Sequence, residues 1–507
     1  MNRYVWIFPV NQFREFWGPL AKDIKSRTGF IPLLVVSSEE DKKFYIRQDG
    51  DCFTDATIVV ASSFYREAME TDLSAWKQLA DRARAYEDRF EITFNRSLVQ
   101  ADRHLGRDFI WGWHGYPTSY AQEKSNQAGR LKATVSRFDF FCKLFISHPP
   151  ELIVGYGGFG SGISTGPVWH LCKENSVPFR SLASARFGGL HYWSIDPFNN
   201  PTTDFFTYQK NRGAPSSQEL KQINDLIKPP SSFQAVKREN PYPTLSRSLR
   251  IGYYQFAMRC YHKIKGYSKS LFGYKPIDAG VAPFIDWYNG RYFKSLNPTT
   301  LANIPKHLKV VAVPLQVEPE ISIQGQSPNA SNILNLIFET ALSLPSDAIV
   351  IVKEHPLQVG RRPKWFYRLV SRMPNVQFLD PTVSGTELLA HTDLVVQINS
   401  SMGYQAAVQG IPVITFSPDG PITVLDHVTV VHSVQDLKQI MTYLASSDDK
   451  DVAEIRKRNG ENFLISLYEC SDDLSWLYTR NGSAKVASSK IALLVTSLLS
   501  TIENLWN

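Results

Sequence analysis

Three short stretches in the second half of the chain set acidic, basic and hydroxyl side chains where apolar runs end. "VPLQVEPEIS" closes with Gln316, Glu318, Glu320 and Ser322. "IVIVKEHP" closes with Lys353, Glu354, His355 and Pro356, and "LVVQINSSMGYQ" brings Asn399, Ser400, Ser401 and Gly403. Residues at the carboxyl ends of parallel strands face a common crevice. Glu318 and Glu320 lie two apart, so an extended chain points both carboxylates to one side. One could attack a sugar carbon or act as a base while the other orients it, the logic of retaining glycoside chemistry; the alternative is two solvated loop glutamates. His355 and Lys353 supply a hydrogen-bond donor and a cation for charge building on a departing phosphate, and Pro356 stops the strand. "NSSMG" can open a helix whose unpaired N–H groups receive an anion, or can simply cap that helix.

The first half offers "VGYGGFGSGISTGP", residues 154 to 167, directly after an apolar run. Gly157, Gly158 and Gly160 permit tight turns and close approach of a ligand. The stretch lacks a Walker lysine and its glycines miss the dinucleotide spacing, which favours an acceptor-side loop. Arg186, His191 and Asp196 in "SARFGGLHYWSIDP" are further polar candidates on that edge. "DGD" at 49 to 51 reads as a hairpin turn between "FYIRQ" and "CFTDA". His148-Pro149, before a strand, reads as structural. No His/Cys cluster has metal-ligand spacing, so no metal is expected.

Short apolar runs alternate with helical patterns and position these residues. Strands are expected at 4–10, 30–38, 57–63, 151–157 and 178–184, with helices in "LSAWKQLADRARAYEDRF" and "GPVWHLCKENS". From 308 the alternation resumes through "LKVVAVPLQ", "AIVIVKE", "VQFLD", "LVVQIN" and "PVITFS", with "NASNILNLIFETALSL" and "SSMGYQAAVQG" as helices. The expected fold is α/β, two Rossmann-like doubly wound domains facing across a cleft, followed by a helical C-terminal segment. The domain bounds are 1–230 on the acceptor side, a basic and aromatic linker or excursion at 231–305, a second Rossmann-like domain at 306–445, and C-terminal helices at 446–507.

At 507 residues, 43% hydrophobic and 20% charged, the chain is globular and long enough for several cores. The excess of seven cations hints at an anionic ligand without requiring nucleic acid. Five scattered cysteines without a CxxC pair fit a reduced compartment. No run reaches the ~18–20 apolar residues of a spanning helix. A cytoplasmic protein is expected, with a place on the inner face of the inner membrane left open. The segment with Arg247, Arg250, Arg259, Lys263, Lys265 and Lys269 interleaves cations with Tyr253, Tyr254, Phe256 and Tyr261. It suits an anionic membrane surface or a solvated helix packed on the body, and both readings stand.

Taken together, "VPLQVEPEIS", "VKEHP" with "GRRPKWFYRLVSRMPNVQFLDP", and "TDLVVQINSSMGYQAAVQGIPVITF" resemble the bacterial capsule polysaccharide biosynthesis proteins, the group that includes the retaining β-Kdo glycosyltransferases. The resemblance covers roughly residues 308 to 420. It implies a two-domain GT-B glycosyltransferase. In that family the His-Pro pair, matched by His355 and Pro356, is associated with the phosphate of a CMP-activated sugar. Glu320 stands where the Kdo enzymes have an Asp proposed as nucleophile. Gln405 stands where the family usually has Glu. On this likeness the donor is a nucleotide sugar, CMP-Kdo, with no further cofactor or metal. Gln316, Lys353, Pro356, Asn399, Ser400, Ser401, Gly403 and Gln405 would hold it, and Glu318 would assist Glu320. The acceptor, a glycan or lipid-linked glycan, would meet Gly157, Gly158, Gly160 and Arg186. A transferase of another nucleotide sugar or polyol phosphate, or a non-catalytic capsule assembly or export partner, are the competing readings.

Overall fold

The computed structural model describes residues 3–50, 52–61, 64–69, 76–110, 117–202, 205, 212–227, 240–265, 274–327, 332–418, 420–433, 436–478 and 488–502. The first domain is built on five parallel strands, β1 (Tyr4–Ile7), β2 (Ile31–Val36), β3 (Ile58–Val60), β4 (Pro150–Tyr156) and β5 (Phe179–Ser184). Their order is β3-β2-β1-β4-β5. β6 (Leu190–Ser194) adds antiparallel to β5. The runs are buried almost end to end because helices cover both faces, which is why the sequence shows apolar blocks rather than strict alternation. α1 (Arg14–Thr28) follows β1; the order reverses between β1 and β4, and the glycine-rich loop leaves β4 at that reversal before α2 (Gly162–Asn175).

The second domain holds six strands, β7 (Lys309–Pro314), β8 (Ala348–Lys353), β9 (Val376–Leu379), β10 (Leu394–Gln397), β11 (Val413–Thr415) and β12 (Val428–Val430), in the order β12-β11-β10-β7-β8-β9. Every pairing is parallel. This is the dinucleotide-fold order, with its switch between β7 and β10. Two Rossmann-like sheets, each with a ligand crevice at its reversal, form the GT-B-like architecture.

Between the domains stand two helices, α3 (Leu245–Ile264) and α4 (Pro276–Ser295). Gly252 and Gly280 let them touch: a Cβ on Gly252 would lie 2.6 Å from the Gly280 carbonyl oxygen. α4 is tied to the first domain through Tyr274, whose hydroxyl accepts from Arg107 Nη2 at 3.0 Å. At its other end Asn289 Nδ2 donates to the Gly360 carbonyl in the second domain at 3.2 Å. The helix start at Ser401–Val408 (α5) packs on α6 (Lys450–Glu469), where Gly410 and Gly460 allow backbone approach. Phe463 of α6 meets Phe205 of the first domain at 5.7 Å.

Several expectations are corrected. The segment 446–507 is divided between the domains: α6 packs on the second, then β13 (Asp472–Asp473) pairs antiparallel with β6, and α7 (Ser488–Ser500) lies on α1. Arg180 Nε fastens that return by donating to Thr501 Oγ1 at 2.8 Å. "FYIRQ" is helical, within Glu39–Asp49, so "DGD" is no hairpin turn; a Ser38 cap and three acidic residues in the first turn favour the helix. Asp49 pairs with Lys22 at 3.2 Å, and Asp51 lies outside the described residues. β6, β12 and β13 were not foreseen, being short or paired through partners far away in sequence. The 230/231 boundary, Lys269 and Asn329, the first residue of "NASNILNLIFETALSL", also lie outside the described residues.

Gly360 shows how closely α4 is seated. Its φ is +84°, and an added Cβ would stand 2.0 Å from the Asp286 carbonyl oxygen. Gly360→Ala is expected to lower stability by roughly 2–4 kcal/mol, from left-handed strain plus the clash, measured by chemical denaturation.

Candidate active site

The three polar loops singled out in the sequence meet at the switch point of the second sheet. Gln316, at the end of β7, donates from Nε2 to the carbonyl of Asn399, at the end of β10. Gln397 Oε1 accepts from Ser400 N at 2.8 Å and from Ser400 Oγ at 2.6 Å. Ser400 caps α5, its Oγ accepting from Gly403 N at 3.2 Å. A Cβ on Gly403 would stand 2.1 Å from the Gln397 amide, so this glycine makes room for a protein side chain. Ser400 and Gly403 are therefore occupied by capping, whereas Ser401, exposed in the first turn, faces outward. Gln405 is half-buried one turn on.

Beneath these loops Arg362 is wholly buried. It donates from Nη2 to the Gln316 carbonyl at 2.9 Å, from Nε to Glu354 Oε2 at 2.9 Å, and from Nη1 to Glu318 Oε2. Glu354 also accepts from Tyr367 OH at 3.2 Å and from His355 N at 2.9 Å. Gln358 Nε2 donates to the Glu318 carbonyl at 3.2 Å. One guanidinium thus fixes the loop after β7 against the loop after β8.

This arrangement separates the two glutamates. The chain bends at Glu318, whose peptide bond to Pro319 is cis, instead of running extended. Glu318 turns into the ion cluster, where burial pushes its carboxyl pKa up while Arg362 pulls it back. It is withdrawn from chemistry, contrary to the role in assisting Glu320 that the sequence suggested. Glu320 stays half-buried, and its carboxylate has no hydrogen-bond partner among the described residues. Its carbonyl accepts from Gln324 N at 3.0 Å, opening the short turn Ile321–Gln324.

His355 and Pro356 are half-buried at the exit of β8. His355 Nδ1 accepts from Leu357 N at 3.2 Å. That bond needs the Nδ1 lone pair, so the neutral ring carries its proton on Nε2. Lys353 behaves differently from the phosphate cation anticipated: it is buried, and Nζ donates to the Val383 carbonyl at 2.6 Å, beyond β9. Burial pushes its pKa down to about 8.

A further cation reaches this site from the opposite domain. Arg186 follows β5, its φ at +66°, and its Nη2 donates to Asn399 Oδ1 at 3.0 Å. Its guanidinium lies 5.0 Å over the Tyr404 ring on α5. Asn399 Nδ2 donates to Gln326 Oε1 at 3.0 Å, while Gln326 Nε2 donates to the Pro197 carbonyl at 3.2 Å and Gln324 Nε2 to the Gln100 carbonyl at 2.8 Å. The run after Glu320 is thereby clamped between the domains. Arg362, Gln324, Gln326 and Gln397 were not singled out in the sequence. Their signal was polarity in a short apolar context, which motif reading does not weigh.

The glycine loop is shaped by packing. Gly157, Gly158, Gly160 and Gly162 all have positive φ. A Cβ on Gly160 would lie 2.6 Å from Pro197, whereas Gly157 is exposed with open space around it. Ser161 Oγ donates to the Gly158 carbonyl at 2.6 Å and so does not cap α2. His191 is buried, its Nε2 3.3 Å from Tyr156 OH, and Asp196 Oδ1 accepts from Phe198 N at 2.9 Å; both hold structure. Among the described residues no group of three or more His, Cys, Asp or Glu side chains could hold a metal ion.

Two Rossmann-like sheets with a polar cluster at the switch point define a GT-B-like protein. The family model of capsule polysaccharide biosynthesis proteins matches residues 221–418, from the segment preceding α3 through β11, and over that segment the chain carries the pattern of the proteins its motifs resemble. Among solved structures, UDP-GlcNAc 2-epimerase from Neisseria meningitidis bound to UDP-GlcNAc is similar at 9% identity, covering 98% of this chain and 100% of that one, with a TM-score of 0.25. The glycotransferase of kitacinnamycin matches at 10% identity over 92% and 96%, TM-score 0.25. KpsC of Thermosulfurimonas dismutans, a beta Kdo 2,4 transferase, matches at 15% identity over 52% and 68%, TM-score 0.25. No curated protein matches the sequence.

Arg362→Met leaves two buried glutamates without their cation and is expected to cost about 3–5 kcal/mol in denaturant unfolding, with Arg362→Met/Glu318→Gln/Glu354→Gln recovering part of the loss. For Lys353, a folded pKa below the ordinary value means that the unfolded chain binds the proton more readily. Stability attributable to this residue should therefore rise as pH climbs from about 8 towards 10.5. Lys353→Met should flatten that rise in unfolding curves taken across the interval.

Proposed function

We propose that this chain is a glycosyltransferase of bacterial surface polysaccharide synthesis that transfers Kdo from CMP-Kdo to a glycan or lipid-linked glycan, with retention. The observation that carries the reading is the meeting of the Glu320 loop, the His355 loop and the start of α5 at one switch point, with Arg186 reaching the same helix start from the first domain. The family match over 221–418 supports the pathway.

In this reading the donor phosphate sits at the first turn of α5, near Ser401 and the guanidinium of Arg186. The Nε2 proton of His355 meets the charge on the departing phosphate oxygen. The Glu320 carboxylate attacks the anomeric carbon as the bond to CMP breaks. An acceptor hydroxyl then attacks from the face that CMP vacated, its proton passing to the departed CMP phosphate as the bond to the carboxylate breaks, and the two inversions give net retention. Gln405 hydrogen-bonds donor hydroxyls as donor or acceptor. The charge is met by side chains and helix N–H groups, without a resident metal. The acceptor approaches along the Gly157 edge, from a lipid-linked glycan at the inner face of the membrane.

Donor screening with CMP-, UDP- and CDP-linked compounds tests this reading. CMP-Kdo should be turned over, Glu320→Gln should lower kcat by at least a hundredfold while CMP affinity holds within a few-fold, and His355→Ala should cost about 10²–10⁴. Turnover of a UDP-sugar but not CMP-Kdo would replace the donor. Full activity in both variants would remove Glu320 and His355 from the chemistry, and turnover of none of the donors would leave a non-catalytic assembly role.

A further inference from the structure

We propose that the α3–α4 hairpin is a docking surface for an anionic lipid bilayer and that it sets the cleft beside the membrane; this deepens the lipid-linked acceptor reading above. Between Leu245 and Lys265 the chain carries Arg247, Arg250, Arg259, Lys263 and Lys265 and no acidic residue. Large apolar side chains stand in solvent on the same helix: Leu249 is 52% exposed, Tyr253 77% and Ile264 83%. With Leu245 and Phe256 they fall within about 100° of arc at 3.6 residues per turn, a continuous stripe. On α4, Ile277 is 69% exposed, and Val281 and Tyr288 follow it on one side.

The two stripes share a face. Gly252 approaches Phe284 while Gly280 approaches Phe256, so the helices run antiparallel. In each, the exposed apolar residues are offset in the same rotational sense from the glycine contact, and for antiparallel neighbours that places both stripes on one side of the pair. A solvated helix packed on the body would turn these residues inward and carry mixed charge outward. Here the apolar face is outward and the charge on α3 is of one sign; of the two acidic residues of α4, Asp286 is held by Arg361 at 3.1 Å and Asp278 interacts with Lys275 just before the helix. This is the pattern of a segment that lies in the headgroup region, its rings and aliphatic side chains among the acyl boundary and its cations at the phosphates. Among the described residues no helix is long and apolar enough to cross a membrane, so the contact is with the surface. The hairpin is bonded to both domains, through Tyr274 to Arg107 and through Asn289 to Gly360, close to the His355 loop. Docking it therefore fixes the orientation of the cleft.

The test uses the purified full chain and flotation with vesicles of phosphatidylcholine alone or mixed with phosphatidylglycerol. Binding is expected to the mixed vesicles only and should weaken with salt. Leu249→Ser/Tyr253→Ser/Ile264→Ser should reduce it at least tenfold. Arg250→Gln/Lys263→Gln/Lys265→Gln should reduce it about a hundredfold, at roughly fivefold per cation. An unchanged thermal midpoint shows that the variants fold. CMP titration reads the donor site separately, so its failure would sink the donor assignment and leave the docking result standing. Equal recovery on both vesicle types, unaltered binding by the variants, or a solution dimer that the serine variant splits into monomers would overturn the proposal.

Discussion

The site depends on one buried cation. Arg362 satisfies a backbone carbonyl of one loop and a carboxylate from each of two, and the side chains around it are buried. A guanidinium is suited to this because its donors point in fixed, divergent directions in one plane, whereas an ammonium would concentrate its charge at a point. The consequence is geometric: Gln316, Glu318 and Glu354 have a single arrangement, and Glu320 and His355, each one or two residues farther on, inherit it. Burying the charges is costly, and the return is precision at two loops that the sheet alone would leave free.

A second constraint is the polar ladder between domains. Gln324, Gln326 and Asn399 from the second domain and Gln100, Pro197 and Arg186 from the first are joined through amides, carbonyls and one guanidinium. Beside it runs an apolar core shared by the two domains, in which Tyr192 and Phe187 pack with Met402 and Tyr404. The C-terminal return, with β13 on the first sheet, adds a covalent crossing. The cleft is therefore a bonded seam whose edges include the start of α5.

Much of this was legible in the sequence. Apolar blocks ended by polar knots give parallel strands and their carboxyl edges, because burial on both faces leaves no other pattern. Glu320, His355 and Ser401 were found at such edges. What escaped reading has a common cause. Glu318 looked like a partner of Glu320 because a spacing of two implies one side only in an extended chain, and this chain bends. Lys353 looked like a phosphate cation, but its long side chain reaches past β9 to a carbonyl that sequence cannot place. Arg362 was not singled out, since a buried ion cluster depends on three segments meeting. Local periodicity reports the strand, and long-range hydrogen bonds decide what its end does.

The division of labour across the cleft follows from this. The second domain contributes a helix start whose Ser400 hydroxyl is spent on capping, and Lys353 is turned away to the Val383 carbonyl. For the donor phosphate proposed above, Ser401 and the first-turn N–H groups supply only part of the attraction, since a helix terminus acts as roughly half a charge. The full charge stands on Arg186, which belongs to the first domain and rests on Asn399 and the Tyr404 ring. Both contacts are with α5 or the residue before its cap, so the guanidinium stays at the helix start while the seam is closed. The electrostatic strength of the site is thereby a property of the two domains together. In the proposed reading, a change that loosens the ladder at Gln324 or Gln326 weakens binding of the donor phosphate without touching it, because it carries Arg186 away from the start of α5.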